Sequence, residues 1–268
     1  MEGMTNAADF TTQAAGRGSA GGANVDPAEV DRFARMAAEW WDPAGKFRPL
    51  HQIGPARLGF VRDALMDHFG LAARPARPLS GLDVLDIGCG GGLVSEPLAR
   101  LGARVTGLDP AEENIAIARA HAAPQELAID YRAGRIEDVA GEWPGRFDAV
   151  LALEVVEHVP DVAAFVAGAA HLVRPGGLLV LSTINRTAKS YALAIVAAEY
   201  VLGWLPRGTH DWDRFVTPDE LAGHVAAAGL LTPRLEGLSY DPFRDLWMRG
   251  TDTDVNYMAA ASKPVPGA

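Results

Sequence analysis

The sequence predicts an α/β fold: a mainly parallel, twisted sheet with helices on both faces, behind an N-terminal helical cover. Three observations predict it. Short apolar runs rich in β-branched residues alternate with helical stretches from Leu82 to Thr183, and such alternation builds a parallel sheet. The first run, Val84-Leu85-Asp86-Ile87, feeds directly into Gly88, Gly90, Gly91 and Gly92. The next run closes on Asp109, 21 positions after Gly88, a spacing at which an acid meets a ribose diol.

Residues 1–24 are rich in Ala, Gly, Ser and Thr without apolar periodicity, which predicts a disordered leader. One Arg and two acids set it apart from an Arg-rich transit peptide. Asp26-Pro27 places an N-cap acid before a proline at the first helical position. Val30, Phe33, Met36, Ala37, Trp40 and Trp41 follow at spacings of three and four, a stripe that packs on a core or covers a site. The helix ends at Trp41-Asp42-Pro43. Lys46 to Arg57 reads as irregular, and a second helix as running from Pro55 to Phe69. Arg57 then falls in a first turn, where the helix dipole mildly disfavours a cation; a ligand carboxylate and a solvated surface position both account for it. Arg74 to Ser80, with two prolines, reads as a linker.

Strands are expected over 82–87, Arg104–Leu108, Ile129–Ala133, Phe147–Leu153 and Leu178–Thr183, and helices over 93–101, 111–122 and Val162–Leu172. The stretch Asn185–Arg214 breaks the alternation. Thr217-Pro218-Asp219-Glu220 starts a helix over 218–228, with Gly229 as its C-cap. Val255 to Met258 reads as a terminal strand. The expected organisation is one domain over 25–262, with a helical cover over 25–80, an insertion over 186–214 and a tail over 263–268.

Hydrophobic residues make up 49% and charged residues 22% of the 268, ordinary for a globular chain long enough to bury a full core. A net charge of −10 argues against nucleic acid as a general partner. Cys89 is the single cysteine, so no disulfide framework exists and a reducing, cytoplasmic setting is expected. No run of 18 or more apolar residues and no secretory segment is evident in the sequence.

Glycines directly after a strand let the backbone turn sharply and approach a ligand closely. The following helix, 93–101, would turn its first N–H groups toward that ligand. Asp86 at the start of the loop would repel a phosphate and accept from an ammonium, so a cationic ligand suits the loop better than a dinucleotide. A strand-end Asp capping the next helix explains Asp109 alone. It does not explain why loop, acid and third strand arrive in sequence.

This combination resembles the class I S-adenosylmethionine-dependent methyltransferases, whose fold is Rossmann-like. L-D-I-G-C-G-G-G matches their first motif, G-L-D-P the ribose-binding acid, F-D-A-V-L-A-L-E-V-V-E-H-V (147–159) the fourth-strand motif, and L-V-R-P-G-G-L-L-V-L-S-T (172–183) the one after. The flanks, among them A-E-W-W-D-P-A-G-K-F-R-P-L-H (38–51), T-I-N-R-T-A-K-S (183–190) and P-R-G-T-H-D-W-D-R-F (206–215), are similar to the ubiquinone-biosynthesis O-methyltransferases from about Asn24 to Met258. The resemblance implies methylation of polyprenylated catechols and phenols at two steps of quinone synthesis. It implies cofactor contacts by Arg57, Gly88, Asp109 and Leu153 beside Asp86 and Gly90, with Asp138 near the adenine amine.

After the fourth strand come Glu154, Glu157 and His158. On a helical turn they would share one face by the i, i+3, i+4 rule, and two carboxylates with an imidazole suit a divalent cation such as Mg²⁺. His158 as general base for the phenol is the competing role, and a liganded imidazole is not a free base. The apolar stretch 187–205, flanked by Arg186, Lys189 and Arg207, reads either as an amphipathic lid touching the inner membrane or as a helix packed on protein. Two other functions stay open: a methyltransferase for another small phenol, and a cofactor-binding scaffold of a quinone-synthesis complex.

Overall fold

The computed structural model describes residues 24–72, 76–193 and 212–267. The leader 1–23 and positions 194–211 of the insertion lie outside the described residues.

Eight strands form one sheet in the order β3-β2-β1-β4-β5-β8-β6-β7. Strands β1 (Asp83–Ile87), β2 (Arg104–Asp109), β3 (Ile129–Ala133), β4 (Phe147–Leu153) and β5 (Val173–Ile184) run parallel. Strands β6 (Arg234–Asp241), β7 (Leu246–Gly250) and β8 (Asn256–Ser262) add an antiparallel edge. The expected α/β class is therefore observed. The β6–β7 hairpin was not expected, because its burial is partial and charged residues and glycines interrupt its apolar ones, so neither strand carries a core-strand pattern.

Side chains alternate across the sheet with period two. Leu85, Ile87, Val150, Ala152, Leu179 and Leu181 pack one face, beneath α6 (Val162–Leu172) and α8 (Pro218–Ala227). Val84, Val105, Ala149, Leu151, Leu178 and Val180 pack the other. There they meet α2 (Arg48–Phe69), which contributes Phe60, Val61 and Leu65, and α3 (Ser95–Arg100) with Leu98. Burial on both faces explains why the central strands read as continuous apolar runs.

Three boundaries stand apart from expectation. Helix α2 begins at Arg48 and runs through Pro55, so Lys46–Arg57 is not irregular. Pro49, at the start of the helix, is its favourable proline, and the absent N–H of Pro55 is outweighed by the apolar face of Ile53, Ala56 and Phe60. Arg57 consequently sits inside the helix, buried, and not in a first turn. Strand β5 extends back to Val173, through Pro175-Gly176-Gly177. Asn24, placed in the leader by composition, is buried: its amide donates to the Asp161 carbonyl at 2.5 Å and accepts from the Asp161 N–H at 2.7 Å. This pair docks the start of α1 (Pro27–Met36) onto the loop after β4.

The strand order reverses between β1 and β4, and open parallel sheets bind ligands in the crevice at that point. Both the glycine loop after β1 and the Glu154–His158 segment after β4 open onto it. The remaining helices, α4 (Glu112–Ala122), α5 (Ile136–Val139) and α7 (Ala188–Ser190), follow β2, β3 and β5.

A Cβ on Gly237 in β6 would overlap the backbone carbonyl of Asp252. Gly237→Ala is expected to lower stability by about 1–3 kcal/mol, the usual range for overpacking, measured by urea denaturation.

Candidate active site

A cavity of about 730 Å³ opens above the C-terminal ends of β1, β2 and β4, within the range of small-molecule sites. Arg57, Asp86, Gly88, Asp109, Leu153 and His158 line it, so segments 100 residues apart in the chain converge there. Gly88 adopts φ +68°, and a Cβ there would lie 2.6 Å from Val155 Cγ2. Its N–H donates to the Leu108 carbonyl at 2.7 Å, which pins the loop against β2.

Asp86 is buried at the end of β1 and accepts from Ser95 Oγ at 2.6 Å. Burial pushes its pKa up to about 7, offset in part by the Ser95 hydrogen bond and the Arg57 charge. Arg57 is 3% exposed. Its Nη2 donates to the Leu50 carbonyl at 3.3 Å, and Nη1 lies 3.9 Å from Glu154 Oε1. Its Nε is buried and has no hydrogen-bond partner among the described residues. A buried cation with an idle donor on a cavity wall suits a ligand carboxylate.

Asp109 is 6% exposed. Its Oδ2 accepts from the Gly90 N–H at 3.0 Å; its Oδ1 accepts from the Ala111 N–H at 2.9 Å and from Asn114 Nδ2 at 3.0 Å. The helix-capping role weighed for this acid is not realised: the N-cap of α4 is Ala111, with no side-chain cap bond, and Asp109 holds the N–H of that residue just before the helix while lining the cavity. Burial holds its pKa above the ordinary value, against those three donors.

The glycines have two different jobs. A Cβ at Gly90 or Gly91 would collide with the indole of Trp40. Trp40 stacks on Phe47 with centroids 3.7 Å apart and donates from Nε1 to Asn114 Oδ1 at 2.8 Å. Trp41 donates to the Gly91 carbonyl at 2.9 Å and stacks on His121. The Trp pair therefore covers the loop, one of the two roles its helical stripe left open.

Asp138 is not on the cavity wall. Gly134, Arg135 and Ile136 form the wall there, and the Asp138 carboxylate accepts from the backbone and guanidinium of Arg135. Those bonds hold its pKa down at about 2. It caps α5, so the expected contact with an adenine amine is not supported by its position.

Glu154, Glu157 and His158 all line the cavity but do not share a helical face. Glu154 sits at φ +57° and ends the strand, and only Val156–His158 form a single 3₁₀ turn. Each is engaged elsewhere. Glu154 Oε1 accepts from Ser182 Oγ at 2.7 Å, and Glu157 Oε2 from Thr183 Oγ1 at 2.8 Å. His158 Nδ1 lies 3.0 Å from Glu29 Oε2. Burial and the neighbouring Glu154 push Glu157 well above the usual carboxylate range. Among the described residues no group of three or more His, Cys, Asp or Glu side chains is placed to hold a metal ion, so the three donors do not fit one as arranged. Glu29, on α1, was not singled out in the sequence. It is one acid among several on an exposed-looking helix, and no local pattern distinguishes it. Phe33, edge-on to His158 at 5.6 Å, was visible only as part of the apolar stripe.

Comparison with known proteins resolves the family. A methyltransferase-domain family matches residues 85–181. A ubiquinone biosynthesis O-methyltransferase from Azorhizobium caulinodans is 58% identical over 235 residues, covering 88% of this chain and 92% of its own. The chain belongs to the ubiquinone biosynthesis O-methyltransferase family. Another member, from Parvibaculum lavamentivorans, is 55% identical and covers 90% of this chain and 94% of its own. Among solved structures, a magnesium protoporphyrin IX methyltransferase from Synechocystis PCC 6803 with bound SAH shares the fold, with a TM-score of 0.59 at 21% identity over 88% of this chain and 95% of that one. The chain is thus an S-adenosylmethionine-dependent O-methyltransferase, and its family resemblance extends well beyond the matched domain into both flanks.

The raised pKa of Asp86 has a consequence for stability. Between the unfolded value of 3.8 and the folded value of about 7, the native state keeps a proton that the unfolded chain has released. Stability of the ligand-free protein therefore falls as pH rises through that window. Asp86→Asn is expected to flatten part of this fall, read from urea midpoints at about pH 5 and about pH 7.5. An unchanged slope would refute the assignment.

Proposed function

We propose that this chain methylates the hydroxyl of polyprenylated catechol and phenol intermediates, serving both O-methylation steps of quinone synthesis, including that of 3-demethylubiquinol. One observation carries the reading: a single cavity is lined by both Asp109 and His158, in a chain similar to this family over about nine-tenths of its length.

Bound S-adenosylmethionine supplies an electrophilic methyl group on a sulfonium. The chain's residues do the rest. Arg57 offers its idle Nε to the carboxylate of the amino-acid moiety, and Asp86 accepts from the ammonium. That ammonium would return Asp86 to its ionised form, since an adjacent cation favours the charged carboxylate. Asp109 accepts from the ribose hydroxyls, Gly88 and Gly90 shape the loop beneath, and Leu153 meets the adenine end through shape. Glu29 holds Nδ1 of His158, which leaves Nε2 as the ring nitrogen to take the phenolic proton. Closing the cavity beneath α1 excludes water from the transfer.

The substrate's tail lives in a bilayer, so the same reading has the chain working in the cytoplasm at the inner membrane, touching it through 187–205, and accommodates a quinone-synthesis complex. Of that stretch only 187–193 is described, with Tyr191 and Leu193 half exposed. Lys189 is paired with Asp252 at 2.6 Å, and Arg186 with Glu220, so two of the flanking cations already have protein partners. No helix among the described residues is long and apolar enough to cross a membrane. Deleting 187–205 should abolish co-sedimentation with liposomes; unchanged binding would refute the contact.

Turnover of a short-chain catechol by the purified protein alone tests the substrate class and removes the scaffold alternative. His158→Ala is expected to lower kcat about a hundredfold or more, the usual scale for a lost general base. Activity should survive a chelator; loss on chelation restored by Mg²⁺ would return Glu154, Glu157 and His158 to the metal role. Asp109→Ala should weaken cofactor binding more than about tenfold, roughly 1.4 kcal/mol by calorimetry.

A further inference from the structure

Asn114 and Trp40 form a buried chain of hydrogen bonds that ends on Asp109. Asn114 Nδ2 donates to Asp109 Oδ1 at 3.0 Å, and Trp40 Nε1 donates to Asn114 Oδ1 at 2.8 Å. Asn114 is 2% and Trp40 6% exposed, so water does not substitute for either bond. The two ends of an Asn amide are nearly isosteric, one a donor and the other an acceptor. An indole N–H can only donate, so whatever faces Trp40 must be the amide oxygen. The amide nitrogen is thereby turned toward Asp109. Were the amide reversed, its oxygen would face a carboxylate in a site with little screening, and the indole N–H would face another donor.

Trp40 acts on the other side of Asp109 as well. Its ring rests on Gly90 and Gly91, and the Gly90 N–H holds Asp109 Oδ2 at 3.0 Å. One side chain from the N-terminal cover thus supports donors to both oxygens of the acid, across 74 positions of sequence to Asn114.

We propose that Trp40 and Asn114 are positioning residues for the cofactor: the Trp40 indole N–H sets the Asn114 amide, which aims the Asp109 carboxylate at the ribose, so that the N-terminal cover must be docked for the ribose to be held. This rests on the reading of Asp109 as the ribose-binding acid. It makes the cover part of the cofactor site, and it accounts for the tryptophan lying against the glycine loop.

The test uses the full-length protein and calorimetric titration with S-adenosylhomocysteine. Trp40→Phe keeps an aromatic ring on Phe47 and on the glycines and removes the N–H donor; Asn114→Ala removes the relay. Each is expected to raise the Kd about fivefold to tenfold, the scale of one buried hydrogen bond, with the loss appearing in KM for the cofactor far more than in kcat. Because the two act in series, the double variant should bind no worse than Asn114→Ala alone. Additive losses, or losses confined to kcat, would overturn the proposal. If Trp40→Phe does not fold, Asn114→Ala carries the test by the same split between KM and kcat. Asp109→Ala separates the two levels. A Kd unchanged in that variant overturns the ribose assignment together with this inference, whereas a weakened Kd there with unchanged binding in Trp40→Phe and Asn114→Ala overturns this inference alone.

Discussion

A carboxylate with 6% exposure must be met by donors, and at Asp109 those donors come from two parts of the chain, with a third behind them. Gly90 belongs to the loop after β1, Ala111 and Asn114 to the start of α4, and Asn114 is itself held by Trp40 from the cover. Leaving a buried charge without partners costs more than any single surface contact returns. The loop, the helix start and the tryptophan are therefore constrained together, and the shape of the cavity follows from that constraint. The compact loop, the packing of Trp40 on two glycines and the docking of α1 over the crevice are parts of one arrangement.

The rest of the cavity carries a second electrostatic theme. Arg57, Asp86, Glu154 and Glu157 are brought close in buried surroundings. Burial raises Asp86 and Glu157 and lowers Arg57 from their ordinary values, so the protein's own groups match these charges incompletely. Such poising is common where a charged ligand supplies the missing partner. A zwitterionic amino-acid group beside Arg57 and Asp86 would match both. At the opposite wall, Glu29 and Phe33 reach His158 from α1, and the Asn24–Asp161 pair fixes the same helix to the loop carrying that histidine. The cover thus meets both halves of the site: the loop proposed to seat the cofactor and the imidazole proposed to take the proton.

Much of this was legible in the sequence. Strands β1, β2 and β4 are short runs buried on both faces, so period and length identify them without tertiary information; β3 is half exposed and is legible from its place in the alternation. The glycine loop is legible because positive φ at Gly88 and the close approach of Val155 and Trp40 forbid most side chains. Arg57 lines the cavity, but its place in the helix was misread, because Pro55 is read locally as a helix start while packing carries α2 through it. Asp138 was misplaced because an acid three residues after Arg135 can face a ligand or close a capping box, and a local guanidinium decided it. The β6–β7 hairpin was missed because half-exposed strands with polar residues lack a core-strand pattern.

The sequence by itself determined the α/β class, the cofactor loop and the acid at the end of the second strand. These depend on backbone sterics and on short-range periodicity, which a linear string records. Only the tertiary structure decided which side chains hold that acid and that histidine. Trp40 meets Asn114, and Glu29 meets His158, across long stretches of chain with no shared period. Such pairings are set by how α1 docks across the crevice, a property of packing that leaves no local mark on the residues involved.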